Sequence, residues 1–400
     1  MDEPISIAST NDSDTSRLGT RFLIYPQVPI IAGYERPETV WISTPRGQVA
    51  AGPSDHRMYV VDPLLGKAPY QFPSLPPLPG DSYPPVEPGP DGHFDHISIG
   101  SREFIAVHCF ACVRRVLDIC ESYLGHEIPW FFSSTYERLE IIPRLSWNNA
   151  QSGFGFLELG EDDTREEALP FALNFDVIAH ETGHLILLGV IGMPDNPESQ
   201  PDFLAFHEAA SDFIALLGLL HFDSALDKIL RRTKGNLLIS NELDRLAELM
   251  DEKQIRTASH SLRLTEVGME VHDRSRPFTG GLFDSLVEIY HLLLLERGLV
   301  DLDTRSIDYL RRDLSQSDVE QFLLSGQSGY ALHHFAYKAA LTEARDLIGE
   351  AFTKSWLRLD CSQLSLRAAA EAFLAAFEAG RGWRFTDRVY ENFRWREILD

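Results

Sequence analysis

The spacing of apolar and polar positions divides the chain into a mixed first half and a helical second half. Residues 17–62 hold short β-type runs separated by Pro and Gly, which predict a small β-rich region. Ten of the residues from Pro63 to Pro90 are proline, and proline blocks both helix interiors and sheet ladders. That stretch is typical of an extended connector, or of an arm that wraps around a neighbouring domain. We therefore place a domain boundary near residue 91.

Residues beyond this boundary show first a helical pattern and then strand-like patterns. The amphipathic spacing over 101–124 predicts a helix that ends at Gly125. The run Leu139–Leu145 is strand-like, and Pro143 within it indicates an edge strand or the end of a strand. Gly153–Leu159 alternates with period two, which predicts a half-buried strand.

Helical spacing dominates the chain after Phe175. We expect an α+β fold in three parts: a β-rich segment with a proline-rich arm (1–90), an α/β half (91–190) and a helical half (191–400). The predicted helices of the last part and of its junction lie near 175–190, 202–221, 280–297, 306–325, 331–348 and 364–380.

Composition and charge narrow the classes of function. The net charge of −24 disfavours nucleic acid as a partner, because an acidic surface repels phosphates. No stretch reaches about 18 uninterrupted apolar residues, so no membrane span is predicted. The first twenty residues are polar and lack the basic and apolar regions of a secretory signal, which predicts a cytoplasmic protein. The pattern makes no prediction of the oligomeric state.

Four cysteines are few for a chain of 400 residues, as is usual in a reducing compartment. Cys109 and Cys112 form a C-x-x-C motif next to His108, but no second pair follows at metal-binding spacing. We predict that these are buried helix thiols, with a metal site as the alternative.

The motif H-E-T-G-H at 180–184 carries the clearest chemistry. One helical turn places His180 and His184 on the same face, within reach of one metal ion. Glu181 then projects beside the open coordination position, where it can take a proton from an activated water molecule. The alternative is a pair of histidines on a surface helix. Apolar residues on both sides of the motif disfavour it, because they predict a largely buried helix.

A second acidic motif, H-E-A-A-S-D, lies on the next predicted helix. Glu208 follows His184 by 24 residues, so an antiparallel helix pair can bring its carboxylate to the same ion. Asp212 lies one turn further on, where a carboxylate can accept the second ring N–H of a ligating histidine. The alternative is an ordinary acidic pair on an amphipathic helix, which the apolar neighbours disfavour.

These motifs resemble the thermolysin-like family of zinc metallopeptidases, the gluzincins, in which H-E-x-x-H is followed by a downstream glutamate. The resemblance implies a thermolysin-like catalytic unit with Zn2+ bound by His180, His184 and Glu208. It also implies that Asp176 and Asp212 support these ligands from outside the coordination shell.

Two further segments share the resemblance. W-N-N-A-Q-S-G-F-G at 147–155 resembles the family's active-site edge strand, which implies that Asn149 and Ala150 contact the substrate backbone. E-V-H-D-R-S-R-P-F-T-G at 270–280 resembles the family's histidine segment, which implies that His272 hydrogen-bonds the tetrahedral intermediate. The resemblance covers residues 91–300, and the last hundred residues share only a helical pattern with the family.

The function implied is zinc-dependent hydrolysis of peptide bonds in a peptide or protein substrate, through a zinc-activated water with Glu181 as general base. The substrate would add to the edge strand by backbone hydrogen bonds. Two alternatives remain open: a catalytically weak, peptidase-like binding scaffold, and a zinc hydrolase or cyclase acting on a small amide. A separate hypothesis concerns the proline-rich arm, which would lie across the catalytic domain and restrict access to its cleft.

Three features of the sequence depart from the family's pattern. Residues 185–207 contain no tyrosine, although the family usually places an oxyanion donor there. His207 stands where an asparagine commonly precedes the glutamate ligand, which changes the surroundings of the site. No acidic cluster follows Glu208, so the family's paired calcium site is not expected. The acidic stretch 161–167 is predicted to be a solvated loop, with calcium binding as the alternative.

Overall fold

The computed structural model describes residues 19–64, 66–162, 169–238, 241–250, 253–300 and 316–400. The predicted α+β class, with a mixed first half and a helical C-terminal half, is confirmed. In chain order the described elements are β1 (Gly19–Ile24), β2 (Glu38–Pro45), β3 (Met58–Val60), α1 (Arg102–Leu124), β4 (Leu139–Ile142), β5 (Ala150–Gly153), β6 (Phe156–Leu159), β7 (Glu161–Asp162), β8 (Leu169–Pro170), α2 (Phe175–Ile191), α3 (Pro201–Leu219), α4 (Asp223–Thr233), β9 (Arg245–Met250), β10 (Lys253–Thr257), α5 (Val271–Glu296), α6 (Gln316–Trp356), α7 (Leu366–Ala379) and α8 (Thr386–Trp395).

A four-stranded sheet, in the order β3-β4-β6-β5, forms the centre of the mixed half. Strand β3 is parallel to β4, β4 is parallel to β6, and β5 lies antiparallel to β6 at one edge. Strand β4 is internal and ends at Ile142, directly before Pro143, so the proline marks the end of a strand. Because β3 pairs with β4, residues before position 91 contribute directly to this sheet. The division at residue 91 stays a prediction.

The prediction of one half-buried strand over Gly153–Leu159 is wrong. A hairpin turn at residues 154–155 separates β5 from β6, and all four residues of β6 are buried. Alternation fails as a guide to burial here because both faces of the sheet are covered. The helices pack on one face and the proline-rich arm, Pro63–Pro90, packs on the other.

The proline-rich arm packs on the sheet through Tyr70, whose ring contacts Phe156 with centroids 5.1 Å apart. Ile142 and Leu145 complete this small apolar cluster, which is separate from the main core. The Tyr70 hydroxyl also donates a hydrogen bond to the buried Glu140. These contacts of the arm are on the sheet face that points away from α2.

Local signals set the ends of the first helices. Helix α1 begins after Ser101, whose hydroxyl accepts the backbone N–H of Phe104, and ends at Gly125, which has a left-handed φ of 80°. Its predicted span of 101–124 is therefore confirmed. Helix α2 is capped by Asn174, which accepts the N–H of Asp176 at 3.0 Å.

The helical half differs from the predictions at several boundaries. Helix α5 begins at Val271, nine residues earlier than predicted, and α4 and α8 were not predicted. Helix α6 runs to Trp356 and is interrupted at His333, which has non-helical dihedral angles. Residues 306–315 of one predicted helix lie outside the described residues, as do residues 163–167 of the acidic stretch.

Helix α5 is the one described helix that is long and apolar enough to span a membrane by itself. In addition, α3 and α4 pass the same criteria as a pair bent by 90°. The protein buries 83% of the most apolar stretch of α5. Buried core helices of soluble proteins meet these criteria equally well, so meeting them is weak evidence for a membrane span.

Candidate metal centre

Helices α2 and α3 pack closely and carry the two motifs singled out from the sequence. Their close approach depends on Gly183, where an added Cβ would lie 2.9 Å from the Cα of Ser211. Asn174 starts α2 and Pro201 occupies the first position of α3, which is the position that best tolerates proline. The short connection between the helices lets them pack side by side, as the prediction for Glu208 requires.

His180, His184 and Glu208 meet at this helix pair and form what we call the histidine–glutamate cluster. One ligand atom from each residue lies within 4.8 Å of the other two. The two Nε2 atoms are 3.1 Å apart, and the Glu208 carboxylate oxygens lie 3.4 Å from His180 Nε2 and 3.5 Å from His184 Nε2. His180 is buried, whereas His184 and Glu208 are half-buried.

The donor set fits a zinc ion. Four-coordinate zinc holds nitrogen and oxygen ligands at about 2.0–2.2 Å, which places tetrahedral ligand atoms roughly 3.3–3.6 Å apart. The two separations between Glu208 and the histidines, 3.4 and 3.5 Å, lie within this range, and the 3.1 Å between the two Nε2 atoms lies slightly below it. Two imidazoles and one carboxylate are also the ligand set of a known class of catalytic zinc sites, which leaves the fourth position open.

The outer nitrogens of both histidines have polar partners on α3. The carboxylate of Asp212 accepts the Nδ1–H of His180 at 2.9 Å. Ser211 Oγ lies 3.2 Å from Nδ1 of His184. A proton held at Nδ1 leaves the lone pair at Nε2, so these partners select the tautomer that a metal needs. Adjacent residues of one helix thus orient both rings.

Asp176, the other carboxylate predicted to support the ligands, makes a different contact. It accepts a hydrogen bond from the side-chain amide of Gln27 at 2.8 Å, which ties the first turn of α2 to the N-terminal region. The described contact of His180 Nδ1 is with Asp212, at 2.9 Å.

Glu208 lies in a strongly polar environment. Burial alone would raise the pKa of its carboxyl group, but hydrogen bonds from His180 and His272 outweigh burial and hold that pKa well below its usual range. The carboxylate is therefore ionised at neutral pH. Next to it, burial and the nearby His184 lower the pKa of His207 to about 3. The neutral His207 ring stacks parallel to His184, with centroids 6.1 Å apart.

His272 joins the cluster from the first turn of α5. Its Nδ1 lies 3.0 Å from Glu208 Oε2, and its side chain is 56% exposed. The predicted histidine segment therefore reaches the predicted metal site, although the described contact of His272 is with the Glu208 carboxylate.

Glu181 contacts the sheet. Its Oε2 accepts a hydrogen bond from Ser152 Oγ at 3.0 Å, which connects α2 to the edge strand β5. Asn149 and Ala150, the predicted substrate contacts, lie at the start of this strand. Their described hydrogen bonds are local, since Ala150 N donates to Asn149 Oδ1 and Gly160 N donates to the Asn149 carbonyl.

Sequence reasoning missed Ser152 and Ser211, whose hydroxyls contact site residues. For Ser211 a signal was present, because it follows Glu208 by three residues and therefore lies on the same face of the helix. For Ser152 the only signal was that it follows Gln151 in a short strand. Consecutive strand residues point to opposite faces, so these two side chains lie on different faces of the sheet.

The C-x-x-C motif lies outside this site. Cys109 and Cys112 are free thiols buried in α1, as predicted. Burial raises the pKa of both thiols well above the usual value, so both stay protonated. Among the described residues, the metal-type cluster is formed by His180, His184 and Glu208.

Comparisons with known proteins show a likeness in structure and none in sequence. No protein-family model matches the chain. No curated protein sequence matches it either. Among solved structures, the chain is similar to the precursor of protealysin, a metalloproteinase from Serratia proteamaculans, at 12% identity and a TM-score of 0.44. The likeness covers 85% of this chain and 87% of that one. Agreement at this level carries no functional inference, so the side chains of the site must supply it.

Proposed function

We propose that the chain is a zinc-dependent metallopeptidase that hydrolyses peptide bonds, with Glu181 as general base. The observation that carries the proposal is the histidine–glutamate cluster, in which two Nε2 atoms and one carboxylate converge. Glu181 follows His180 directly in the same helix. Bound zinc would supply a Lewis acid that polarises a carbonyl group and acidifies a water molecule. His180, His184 and Glu208 would hold it.

The remaining chemistry belongs to the chain's own residues. Glu181 would accept a proton at a carboxylate oxygen and return it to the leaving amine. His272, whose exposed side chain lies beside Glu208, would donate a hydrogen bond to the developing oxyanion, and a donor of this kind is typically worth about 3 kcal/mol of barrier. The outer edge of β5 can hydrogen-bond an extended substrate, because β6 is the one strand that pairs with β5 among the residues the structure describes.

The variant Glu181→Gln tests the proposal, because it keeps the size of the side chain and removes its basicity. We expect one zinc per chain in both proteins, and a kcat on an unstructured peptide that falls by about 10²–10⁴-fold in the variant. Zinc content is measured by atomic emission and cleavage by mass spectrometry. No zinc in the wild type, or equal turnover in both proteins, would refute the proposal. Bound zinc without any cleavage of a peptide library would instead favour a binding scaffold or a small-amide substrate.

A further inference from the structure

We propose that Ser152 is a positioning residue for Glu181, and that the proline-rich arm fixes Ser152 through its neighbour Gln151. This inference rests on the proposed function, in which Glu181 is the general base. It assigns the arm a supporting role in catalysis, which is the opposite of the access-restricting role suggested by its sequence.

The contact between Ser152 and Glu181 fixes one carboxylate oxygen. Ser152 Oγ donates to Glu181 Oε2 at 3.0 Å. Glu181 is half-buried, and a glutamate side chain has three rotatable bonds, so packing alone leaves it a choice of rotamers. A hydrogen bond to Oε2 restricts that choice and keeps Oε1 available as a base. A base misplaced by about 1 Å can lower a rate by about two orders of magnitude.

The strand that carries Ser152 needs support from elsewhere. β5 has only four residues, all half-exposed, and it pairs with β6 along one side. Short edge strands with small side chains have a weakly specified position. Gln151 provides the support, because its amide donates to Glu158 Oε2 at 2.6 Å and to the Tyr70 carbonyl at 3.2 Å. The amide therefore clamps β5 to both β6 and the arm.

Glu158 makes this clamp firm. Its side chain is fully buried. Its carboxylate also accepts a hydrogen bond from the backbone N–H of Tyr70 at 2.8 Å and forms an ion pair with Lys67. A buried carboxylate persists only when its oxygens are satisfied, so the arm and the sheet depend on each other at this point. A chain of contacts thus runs from Lys67 through Glu158 and Gln151 to Ser152 and Glu181, crossing the sheet at β5.

Kinetics of two matched variants of the full chain test the role of Ser152. Ser152→Ala removes the hydroxyl and Ser152→Thr keeps it. We expect kcat to fall about tenfold in the alanine variant, the typical effect of one hydrogen bond, and to stay within about twofold in the threonine variant. KM and zinc content should be unchanged in both. An alanine variant with wild-type kcat, or one that loses zinc in parallel with activity, would overturn the inference.

A double-mutant cycle distinguishes the effect of Gln151 on kcat through Ser152 from the effect of a general loss of stability. Gln151→Met keeps the length of the side chain and removes its hydrogen bonds, so kcat should fall by about fivefold to tenfold. If Gln151 acts only through Ser152, the double variant with Ser152→Ala should be no slower than Ser152→Ala alone. Multiplying effects would overturn the proposed coupling.

Crystal structures of the zinc-free proteins provide a readout that does not need activity. We expect one Glu181 rotamer in the wild type and in Ser152→Thr, and more than one in Ser152→Ala. A single unchanged rotamer in Ser152→Ala would reject the inference even if the wild type cleaved peptides. Conversely, an inactive wild type with this rotamer pattern would refute the peptidase proposal and leave the positioning contact supported.

Discussion

Two histidines in neighbouring helices, His108 in α1 and His180 in α2, show how the surroundings decide what a buried imidazole does. His108 is fully buried, and both its ring nitrogens bond to the backbone: Nε2 accepts the N–H of Tyr25 at 3.0 Å, and Nδ1 lies 2.7 Å from the carbonyl of Ala172. His180 is almost as buried, but its nitrogens face carboxylates of α3. Asp212 bonds Nδ1, and Glu208 lies 3.4 Å from Nε2.

The difference teaches which feature indicates a ligand. The backbone groups that bond His108 are uncharged and belong to ordered segments. His108 therefore holds those segments in place relative to each other. Carboxylates on another helix leave Nε2 facing a polar, negatively charged space, where a cation is stabilised. Burial is common to both histidines and therefore decides nothing. The two histidines differ in the group that bonds Nδ1 and in the groups that face Nε2.

The largest expected effect comes from removing His180. The change His180→Ala should weaken zinc binding by roughly 100- to 1,000-fold, since about 10–16 kcal/mol of zinc binding is typically shared among four ligands. Isothermal titration with zinc measures the affinity. His108→Gln is the matched control, because it removes a buried imidazole from the adjacent helix, and it should keep wild-type affinity. Equal losses in the two variants would erase the distinction between these histidines.

A pH dependence of stability should identify His108 as the structural member of the pair. Burial lowers the pKa of His108 to about 4, so between pH 6.5 and 4 the unfolded chain binds a proton that the folded chain excludes. The contribution of the neutral His108 to the unfolding free energy is therefore complete above pH 6.5 and is lost as the pH falls towards 4. At pH 4.5 this loss amounts to roughly 2–3 kcal/mol from this residue.

Urea unfolding of the wild type and His108→Gln, with metal chelated, measures this effect at pH 7.5 and pH 4.5. Glutamine does not titrate in this range, so the variant should lose less unfolding free energy on acidification. Other titrating groups are common to both proteins and cancel in the comparison. Parallel losses in the two proteins would show that His108 is not excluded from protonation in the folded state.

The fold was predictable wherever short-range patterns coincide with packing. Helix α1 has a capping serine and a terminal glycine, and both ends follow from them. Helix α5 was predicted to start nine residues too late, because Pro277 locally disfavours a helix that begins at Val271. Further along this helix, Gly280 and Gly281 allow close tertiary contacts: a Cβ at Gly280 would meet Arg396, and one at Gly281 would meet Phe393. Such contacts with α8 and with the residue that follows it are not encoded in any local window.

The candidate site was predictable to the extent that its residues share helices. The i,i+4 spacing brings His180 and His184 together, and an antiparallel neighbour brings Glu208 to them. The contact of Ser152 depends instead on the arrangement of a sheet against a helix. The position of the arm depends on a buried ion pair between residues 91 positions apart, Lys67 and Glu158. Serine and lysine occur throughout the chain, so sequence alone gives no reason to select these two.

The smallest effect is expected at Ser211, and it tests whether the partner of the outer nitrogen matters for a ligand. Ser211 is fully buried, and its hydroxyl lies 3.2 Å from His184 Nδ1, so Ser211→Ala frees that ring to rotate or change tautomer. Loss of such a partner typically weakens metal binding 10- to 100-fold, and we expect about tenfold because the hydroxyl is uncharged. Ser285→Ala is the matched control, since Ser285 is equally buried in α5 and bonds the Gly281 carbonyl. Zinc titration should show weaker binding in the first variant only, and equal affinities would mean that packing against α3 suffices to orient His184.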